Sequence, residues 1–158
     1  MRRRKEKKTN YKRRLKLLKS GKTRLVIRRY HNNFVIQFIG YNPTGDTTLL
    51  EVTSKELKNL GWNGHLGNIS SGYLAGMIAG YKAKKKGIKD AVVDIGLQVN
   101  TKGNSIYAVV SGIIDSGIDV PADNKNFPDR NRLEGKHTKN KGDGFDEIKK
   151  KIAEMYGK

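Results

Sequence analysis

The sequence predicts an α/β fold, a sandwich of helices packed on a mixed β-sheet. Three runs of β-branched and aromatic residues, at 25–30, 34–39 and 47–53, are separated by turn-rich connections and predict an antiparallel meander. A helical pattern at 70–86 then leads to a fourth apolar run at 90–97. Because a helix between two strands usually joins parallel neighbours, this fourth strand is predicted to pair in parallel and to be buried on both faces.

The first 24 residues form a strongly basic arm. They contain thirteen Lys or Arg and one acid, Glu6, and so carry +12 of the formal net charge of +18. A phosphate backbone relieves such self-repulsion, so the arm is predicted to be ordered by a nucleic acid. Tyr11, Leu15 and Leu18 form an apolar stripe, which predicts a short amphipathic helix ending at Gly21. A targeting signal, a solvated tail and a basic membrane-surface helix are the alternatives.

Two helices complete the predicted core. The helix at 70–86 has large apolar residues on one side and a seam of glycine and alanine on another. Glycine in a helix costs about 1 kcal/mol relative to alanine, so we expect a close contact to compensate. Packing of the seam on the sheet is favoured, with close approach of an RNA backbone as the alternative. The second helix is predicted at 106–116, ended by Gly117.

The composition fits one domain of 158 residues with a real core. The absence of cysteine excludes disulfides and thiolate sites, and no apolar stretch is long enough to span a membrane. A soluble intracellular protein without a membrane partner is therefore expected. Residues 90–123 contain five acids and one cation, so the charge is polarised between a basic face and the rest of the body.

The chain beyond residue 121 is interpreted as an extension. Residues 122–144 are polar and hold too little apolar material to build a core. A last helix at 145–156 places Ile148, Ile152 and Met155 on one stripe, and the region is expected to wrap or dock on a partner. The predicted organisation is a basic arm at 1–24, an α/β core at 25–121 and a polar extension at 122–158.

Catalytic and metal-binding patterns are weak in this sequence. It has no GxxxxGKS/T loop, and its three histidines lack the spacing of metal ligands. The amides at the start of the helix at 70–86 are a candidate for binding a phosphate of a polymer. The main alternative function is a metal-dependent nuclease, whose candidate ligands are Asp90, Asp94, Asp115 and Asp119. Because the first strand holds no acid, a non-enzymatic protein without cofactor or metal is favoured.

Residues suited to RNA binding surround the first two strands. Arg28 and Arg29 are neighbours in one strand and must point to opposite faces, so at least one is expected to reach RNA or a covering element. Tyr30 offers a face for an unpaired base, and Asn32 and Asn33 offer paired donors and acceptors. The chain shows no helix-turn-helix or zinc-finger pattern, so structured RNA is favoured over general duplex-DNA binding.

Five segments, in order within residues 7–137, carry a family resemblance. They are YKRRLKLLKSGKTRLVIRR, NPTGDTTL, GWNGHLGNISSGYLAGMIAGYKAKKKG, AVVDIGL and SGIIDSGIDVP. DRNRLEGKH at 129–137 adds an Arg-x-x-Gly-x-His stretch. In combination they resemble the archaeal-type large-subunit ribosomal protein eighteen family, whose eukaryotic counterpart is the larger 5S rRNA binder.

The resemblance implies both a fold and a function. The implied fold is a three-layer sandwich of the translational-machinery type, related to ribonuclease H but without its activity. The implied function is that of a structural constituent of the large subunit of the cytoplasmic ribosome. It would bind 5S rRNA and help to attach it to the large rRNA in the central protuberance, beside neighbouring large-subunit proteins.

The resemblance also implies three RNA-contacting regions, which are the arm at 2–22, the first hairpin at 24–37 and the segment at 129–137. The predicted RNA-binding residues are Arg2, Arg3, Arg4, Lys7, Lys8, Tyr11, Lys12, Arg13, Arg14, Lys16, Lys19, Lys22, Arg24, Arg28, Arg29, Tyr30, Asn32, Asn33, Gln37, Arg130, Arg132 and His137.

Overall fold

The computed structural model describes residues 5–137 and 144–157. The elements are, in chain order, helix α1 (Tyr11–Leu18), strands β1 (Arg24–Arg29), β2 (Phe34–Gly40) and β3 (Thr47–Thr53), a 3-10 helix (Ser54–Leu60), helix α2 (Ile69–Lys85), strand β4 (Val92–Asp94), helix α3 (Ser105–Asp115), a 3-10 turn (Asn124–Asn126), and helices α4 (Arg130–Leu133) and α5 (Phe145–Tyr156). None of the helices within the described residues is long and apolar enough to cross a membrane.

The four strands form one mixed sheet in the order β3-β2-β1-β4. β1 pairs antiparallel with β2, which pairs antiparallel with β3, whereas β4 runs parallel to β1 and places Val93 opposite Leu25. The predictions of an α/β fold, an antiparallel meander and a fourth parallel strand are confirmed.

Strand β4 corrects one detail of the prediction. It is three residues long and forms an edge of the sheet, and its Val92 and Val93 are only half-buried. The apolar run at 90–97 was predicted to be a strand buried on both faces. The prediction holds for Ala91, Asp94 and Ile95, which are buried, but it is wrong in the length of the strand and in the full burial of the two valines. The chain turns away at Gly96, where φ is +64°.

The inner face of the sheet, defined by the side chains that point toward α2 and α3, is apolar. Alternate residues of β1 and β2 point to it, and five of them are fully buried: Leu25, Ile27, Phe34, Ile36 and Phe38. Arg29, the last residue of β1, has the same parity but is exposed. Burying each such side chain stabilises the fold by about 1.5–3 kcal/mol. The hydrophobic core therefore lies between this face and the two helices.

The glycine seam of α2 packs on α3. A Cβ added to Gly76 would lie 2.2 Å from the Val109 carbonyl oxygen, and one added to Gly112 of α3 would lie 2.1 Å from the Tyr73 carbonyl oxygen. The seam was predicted to pack on the sheet, which is wrong at these positions, because the glycines lie on the side of α2 that faces α3. The expected close approach itself is confirmed, with a helix as the partner.

Helix α5 packs on the same core. Phe145, Ile148 and Ile152 are buried, and the rings of Phe145 and Tyr73 lie 5.7 Å apart. Met155, predicted to share the apolar stripe, is 59% exposed, because Tyr156, four residues after Ile152, continues the buried side of α5 instead. The apolar side of α5 is therefore used within this chain. The predicted boundaries at residues 24 and 121 stay predictions, and residues 138–143 of the extension lie outside the described residues.

Candidate nucleic-acid interface

Helix α1 of the arm lies over the outer face of the sheet, the face opposite α2 and α3. Asn10 begins the helix by accepting a hydrogen bond from the Arg13 amide at 3.1 Å, and Gly21 follows its end with φ +66°. A cavity of about 470 Å³ separates α1 from outer-face residues such as Val26 and Gln37. The short helix that the sequence predicted is confirmed.

The helix is rotated relative to the predicted apolar stripe. Its half-buried residues are Tyr11, Arg14, Leu17 and Leu18, whereas Leu15 is 56% exposed. The predicted apolar stripe is therefore wrong at Leu15. The physical reason is that the surface under α1 is charged, which favours an inward arginine.

The charged surface under α1 is an ion network centred on Arg24. The Arg24 guanidinium contacts Asp46 at 2.5 Å and Asp94 at 3.2 Å, and Arg14 from α1 contacts the same Asp46 oxygen at 2.6 Å. Arg28 donates to the Asp94 carbonyl oxygen at 2.9 Å. Asp46 thus joins the arm helix to strand β1.

Arg24 was predicted from the sequence to bind RNA, and the structure places it elsewhere. Its exposure is 4%, and two carboxylates already neutralise it. We therefore leave Arg24 out of the candidate surface and assign it a positioning role. Sequence reasoning missed Asp46, which lies in a turn. A turn aspartate carries no sequence signal for a partner on another element.

The remaining cations of the arm face solvent. Within the described residues, the exposed predicted cations of the arm are Lys7, Lys8, Lys12, Arg13, Lys16, Lys19 and Lys22. Lys8 pairs with Glu6 at 2.9 Å, and Arg13 donates to the Gly96 carbonyl oxygen at 3.3 Å. Asp90, 2.9 Å away, raises the pKa of Lys22. The predicted Arg2, Arg3 and Arg4 lie outside the described residues.

The hairpin between β1 and β2 packs on the loop at 61–68. Asn32 Oδ1 lies 3.3 Å from His65 Nε2, and the rings of His31 and His65 lie 6.3 Å apart, edge to face. A Cβ on Gly67 would lie 2.5 Å from the His31 carbonyl oxygen, so this approach requires glycine. Tyr30 remains 56% exposed beside this contact. Sequence reasoning treated His65 only as a rejected metal ligand and missed its role here.

Two predicted amides of the hairpin are less accessible. Gln37 is half-buried on the outer face and donates to Glu51 at 2.6 Å. Asn33 is half-buried, and its carbonyl oxygen accepts from the Tyr30 amide at 2.8 Å, which closes the hairpin. Their roles in RNA binding stay predictions.

The segment at 129–137 brings further cations to the surface. Arg130 and Lys136 pair with Glu134 at 2.9 and 2.5 Å, and these contacts lower the pKa of that carboxyl, Lys136 having the larger effect. Arg132 is exposed. His137 lines a cavity together with Arg29 of β1, so two predicted RNA-binding residues distant in sequence lie close together.

The four carboxylates considered for a nuclease do not converge on one site, although Asp90 and Asp119 are paired in an isolated parallel bridge. Asp90 pairs with Lys22, Asp94 with Arg24, and Asp115 accepts a hydrogen bond from Tyr73 at 2.6 Å. Across residues 5–137 and 144–157, no group of three or more metal-ligating side chains is found. The chemistry at hand is that of cations, amides and an exposed aromatic ring, which is suited to binding a polyanion.

A basic helix held on a charged sheet face, with an exposed aromatic hairpin at the end of β1, defines a nucleic-acid-binding α/β protein. Residues 1–90 match the family described as "Ribosomal large subunit proteins 60S L5, and 50S L18". The chain is 45% identical over 157 residues to "Large ribosomal subunit protein uL18" of Methanococcus maripaludis. The aligned region covers 99% of this chain and 79% of that relative. The chain belongs to this family of large-subunit ribosomal proteins.

Family membership confirms several predictions. The chain is a structural, rRNA-binding protein of the large subunit of the cytoplasmic ribosome, and its partners are rRNA and other ribosomal proteins. It is not an enzyme, so the nuclease alternative is wrong.

Proposed function

We propose that this chain binds 5S rRNA and helps to attach it to the large rRNA in the central protuberance. One observation carries the proposal: the side of α1 opposite the docked residues is cationic. Lys12, Lys16 and Lys19 follow one another at i, i+4 and i+7 and are all exposed, whereas Arg14 points to the sheet. The stripe spans about 10 Å along the helix axis.

The hairpin extends this surface to the other end of β1. Exposed Arg29 neutralises phosphate, and the exposed ring of Tyr30 offers a platform for an unpaired base. Phosphate contacts supply affinity, whereas loops and RNA shape supply selectivity. Such a combination suits a folded RNA with unpaired bases, and we propose that this RNA is 5S rRNA.

Attachment of one RNA to another requires a second contact region. The segment at 129–137, with exposed Arg130, Arg132 and His137, belongs to a different part of the chain from the arm. We assign the arm and hairpin to 5S rRNA, with Arg130 and Arg132 of this segment among the contacts that bridge to the large rRNA. The assignment of individual residues to either RNA is part of the proposal.

We also propose that the fold is the ribonuclease-H-related, three-layer type. Its support is the strand order β3-β2-β1-β4, with a meander followed by a helix and a parallel strand. Superposition of an experimental structure on ribonuclease H tests this relation, and a different strand order would contradict it.

A competition titration tests the proposed RNA. Labelled 5S rRNA is bound to the full chain and displaced by unlabelled 5S rRNA, transfer RNA or duplex DNA over a range of salt concentrations, and the series is repeated without residues 1–20. We expect a preference for 5S rRNA that persists at raised salt, and loss of most of the affinity on deletion. Equal competition by the three polyanions would overturn the 5S assignment.

A further inference from the structure

A small cavity of about 200 Å³ lies where two helices begin. Helix α2 begins after its N-cap Asn68, and helix α3 begins after its N-cap Asn104. Ile69 and Ser70, the first two residues of α2, line this cavity together with Ser105, the first residue of α3. The cavity is several times larger than the about 30 Å³ of a liquid water molecule, so it has room for a tetrahedral anion.

The start of α2 supplies amide donors. The Asn68 side chain accepts from the Ser71 amide at 2.7 Å, and the Asn68 carbonyl oxygen accepts from the Gly72 amide at 3.0 Å. The amides of Ile69 and Ser70 have no carbonyl partner inside the helix, because they precede the first helical hydrogen bond. Helix N-termini also carry a partial positive charge, which favours an anion.

Ser105 supplies a second, independent indication. Its exposure is 5%, and its Oγ has no hydrogen-bond partner in the part of the chain that the structure describes. Buried hydroxyls are normally hydrogen-bonded, since an unpaired one is costly. Because Ser105 lines the cavity, rotation of its side chain about χ1 can turn this unpaired hydroxyl toward a ligand bound there.

The cavity is lined by a cation and an imidazole. Arg29 and His137 line it, both are exposed, and no acid belongs to the described residues that line it. An arginine guanidinium matches the geometry of phosphate oxygens.

We propose that this cavity binds one phosphate group of the rRNA backbone, through the Ile69 and Ser70 amides, the Ser105 hydroxyl and the Arg29 guanidinium. This inference rests on the proposed role of the hairpin in RNA binding and gives it a defined phosphate subsite. It also explains why His137 and Arg29 meet at the start of α2.

Two variants of the full chain test the subsite against total rRNA and 5S rRNA. Ser105→Ala removes the hydroxyl, and we expect about tenfold weaker rRNA binding, as for loss of one hydrogen bond to a charged group. Its Tm should not fall, because the hydroxyl has no hydrogen-bond partner among the described residues of the free protein. Arg29→Gln should lower the slope of log affinity against log salt by about one.

The matched control is Lys85→Gln. Lys85 is an exposed cation at the far end of α2, about 24 Å from Ile69 along the helix. It should leave the affinity within about twofold of the wild type, as expected for a cation that does not contact phosphate.

Free phosphate is distinguished from the RNA backbone by NMR. Titration of the ¹⁵N-labelled chain with inorganic phosphate should shift the amide signals of Ile69 and Ser70, and Ser105→Ala should weaken the shifts. Shifts without any change of rRNA affinity in Ser105→Ala and Arg29→Gln would identify a free-anion site and overturn the assignment to the backbone. Unchanged signals and unchanged affinities would overturn the subsite altogether. The comparison of variants on total rRNA holds even if the preference for 5S rRNA fails.

Discussion

The two faces of the sheet are built from opposite kinds of side chain. On the inner face, Ile27, Ile36 and Phe38 are fully buried under α2 and α3. On the outer face, Arg24 lies between Asp46 and Asp94 beneath the arm helix. Both faces belong to the same strands, since alternate residues of β1 point to one or the other.

The difference separates stability from placement. Apolar burial stabilises a fold without directional demands. A buried ion network contributes little net stability, because desolvation offsets the attraction, but removing one member leaves an uncompensated charge. The inner face therefore holds the domain together, whereas the outer face fixes where α1 and its lysines lie.

Removal of the central cation should have the largest effect. Arg24→Met leaves Asp94, whose side chain is 12% exposed, without its close partner. We expect a loss of about 3 kcal/mol in the free energy of unfolding, measured with urea. The double variant Arg24→Met with Asp94→Asn should recover much of that loss. A single variant as stable as the wild type would show that the outer face does not depend on this network.

Overpacking of the helix seam comes next. In Gly76→Ala the added methyl group lies 2.2 Å from a backbone oxygen, so the helices must separate. Overpacking should cost about 3 kcal/mol, and the higher helix propensity of alanine should restore about 1 kcal/mol. We therefore expect the free energy of unfolding to fall by about 2 kcal/mol. Gly45→Ala, where a Cβ meets nothing within 4 Å, is the control and should change the stability by less than about 0.5 kcal/mol. Equal changes in the free energy of unfolding of the two variants would contradict the close packing of the glycine seam against α3.

The contact between Tyr73 and Asp115 predicts a pH dependence. Burial, and then the hydrogen bond to Asp115, raises the pKa of Tyr73 above its usual value of 10.0. As the pH rises, the phenol therefore ionises in the unfolded chain before it ionises in the folded protein. The contribution of Tyr73 to the free energy of unfolding is complete below pH 10.0, the unfolded pKa, and is lost as the pH rises toward the folded pKa.

Substitution of this tyrosine isolates the effect. Tyr73→Phe should lose about 1 kcal/mol at neutral pH, the usual value of one hydrogen bond. Between about pH 9 and pH 11 its stability should fall less steeply than that of the wild type, as measured by urea unfolding at each pH. Parallel pH profiles would exclude Tyr73 as the titrating group.

Release of the arm should have the smallest effect on stability. Asp46→Asn removes the charge that holds Arg14 at 2.6 Å but keeps an acceptor oxygen for Arg24. We expect less than about 1 kcal/mol of destabilisation, as for a partly exposed pair. Amide hydrogen exchange should nonetheless accelerate in α1 and stay unchanged in α2. Equal protection of α1 in both proteins would show that another contact holds the arm.

The sequence predicted what periodicity and charge control locally. The meander, the parallel fourth strand and the arm helix follow from alternation, crossover rules and glycine punctuation, and the structure has all three. The family followed from combined motifs and is confirmed.

The sequence did not predict which elements face one another. The partner of the glycine seam, the rotation of α1 and the burial of Arg24 all depend on contacts between residues far apart in the chain. Arg24 has the same local signature as the exposed cations beside it, and only Asp46 and Asp94 distinguish it. A cluster of cations thus identifies a surface, but not which member is buried beneath it.

The most direct test of the account asks whether the arm stripe or net charge binds rRNA. A triple variant, Lys12→Gln, Lys16→Gln and Lys19→Gln, is compared with a charge-matched control of Lys84→Gln, Lys85→Gln and Lys150→Gln, all of which are exposed. For each, 5S rRNA affinity is measured as a function of salt. We predict that the slope falls by about two to three units in the arm variant only. Equal losses in both variants would contradict the account, since they would show that total charge, and not its placement on α1, binds the RNA.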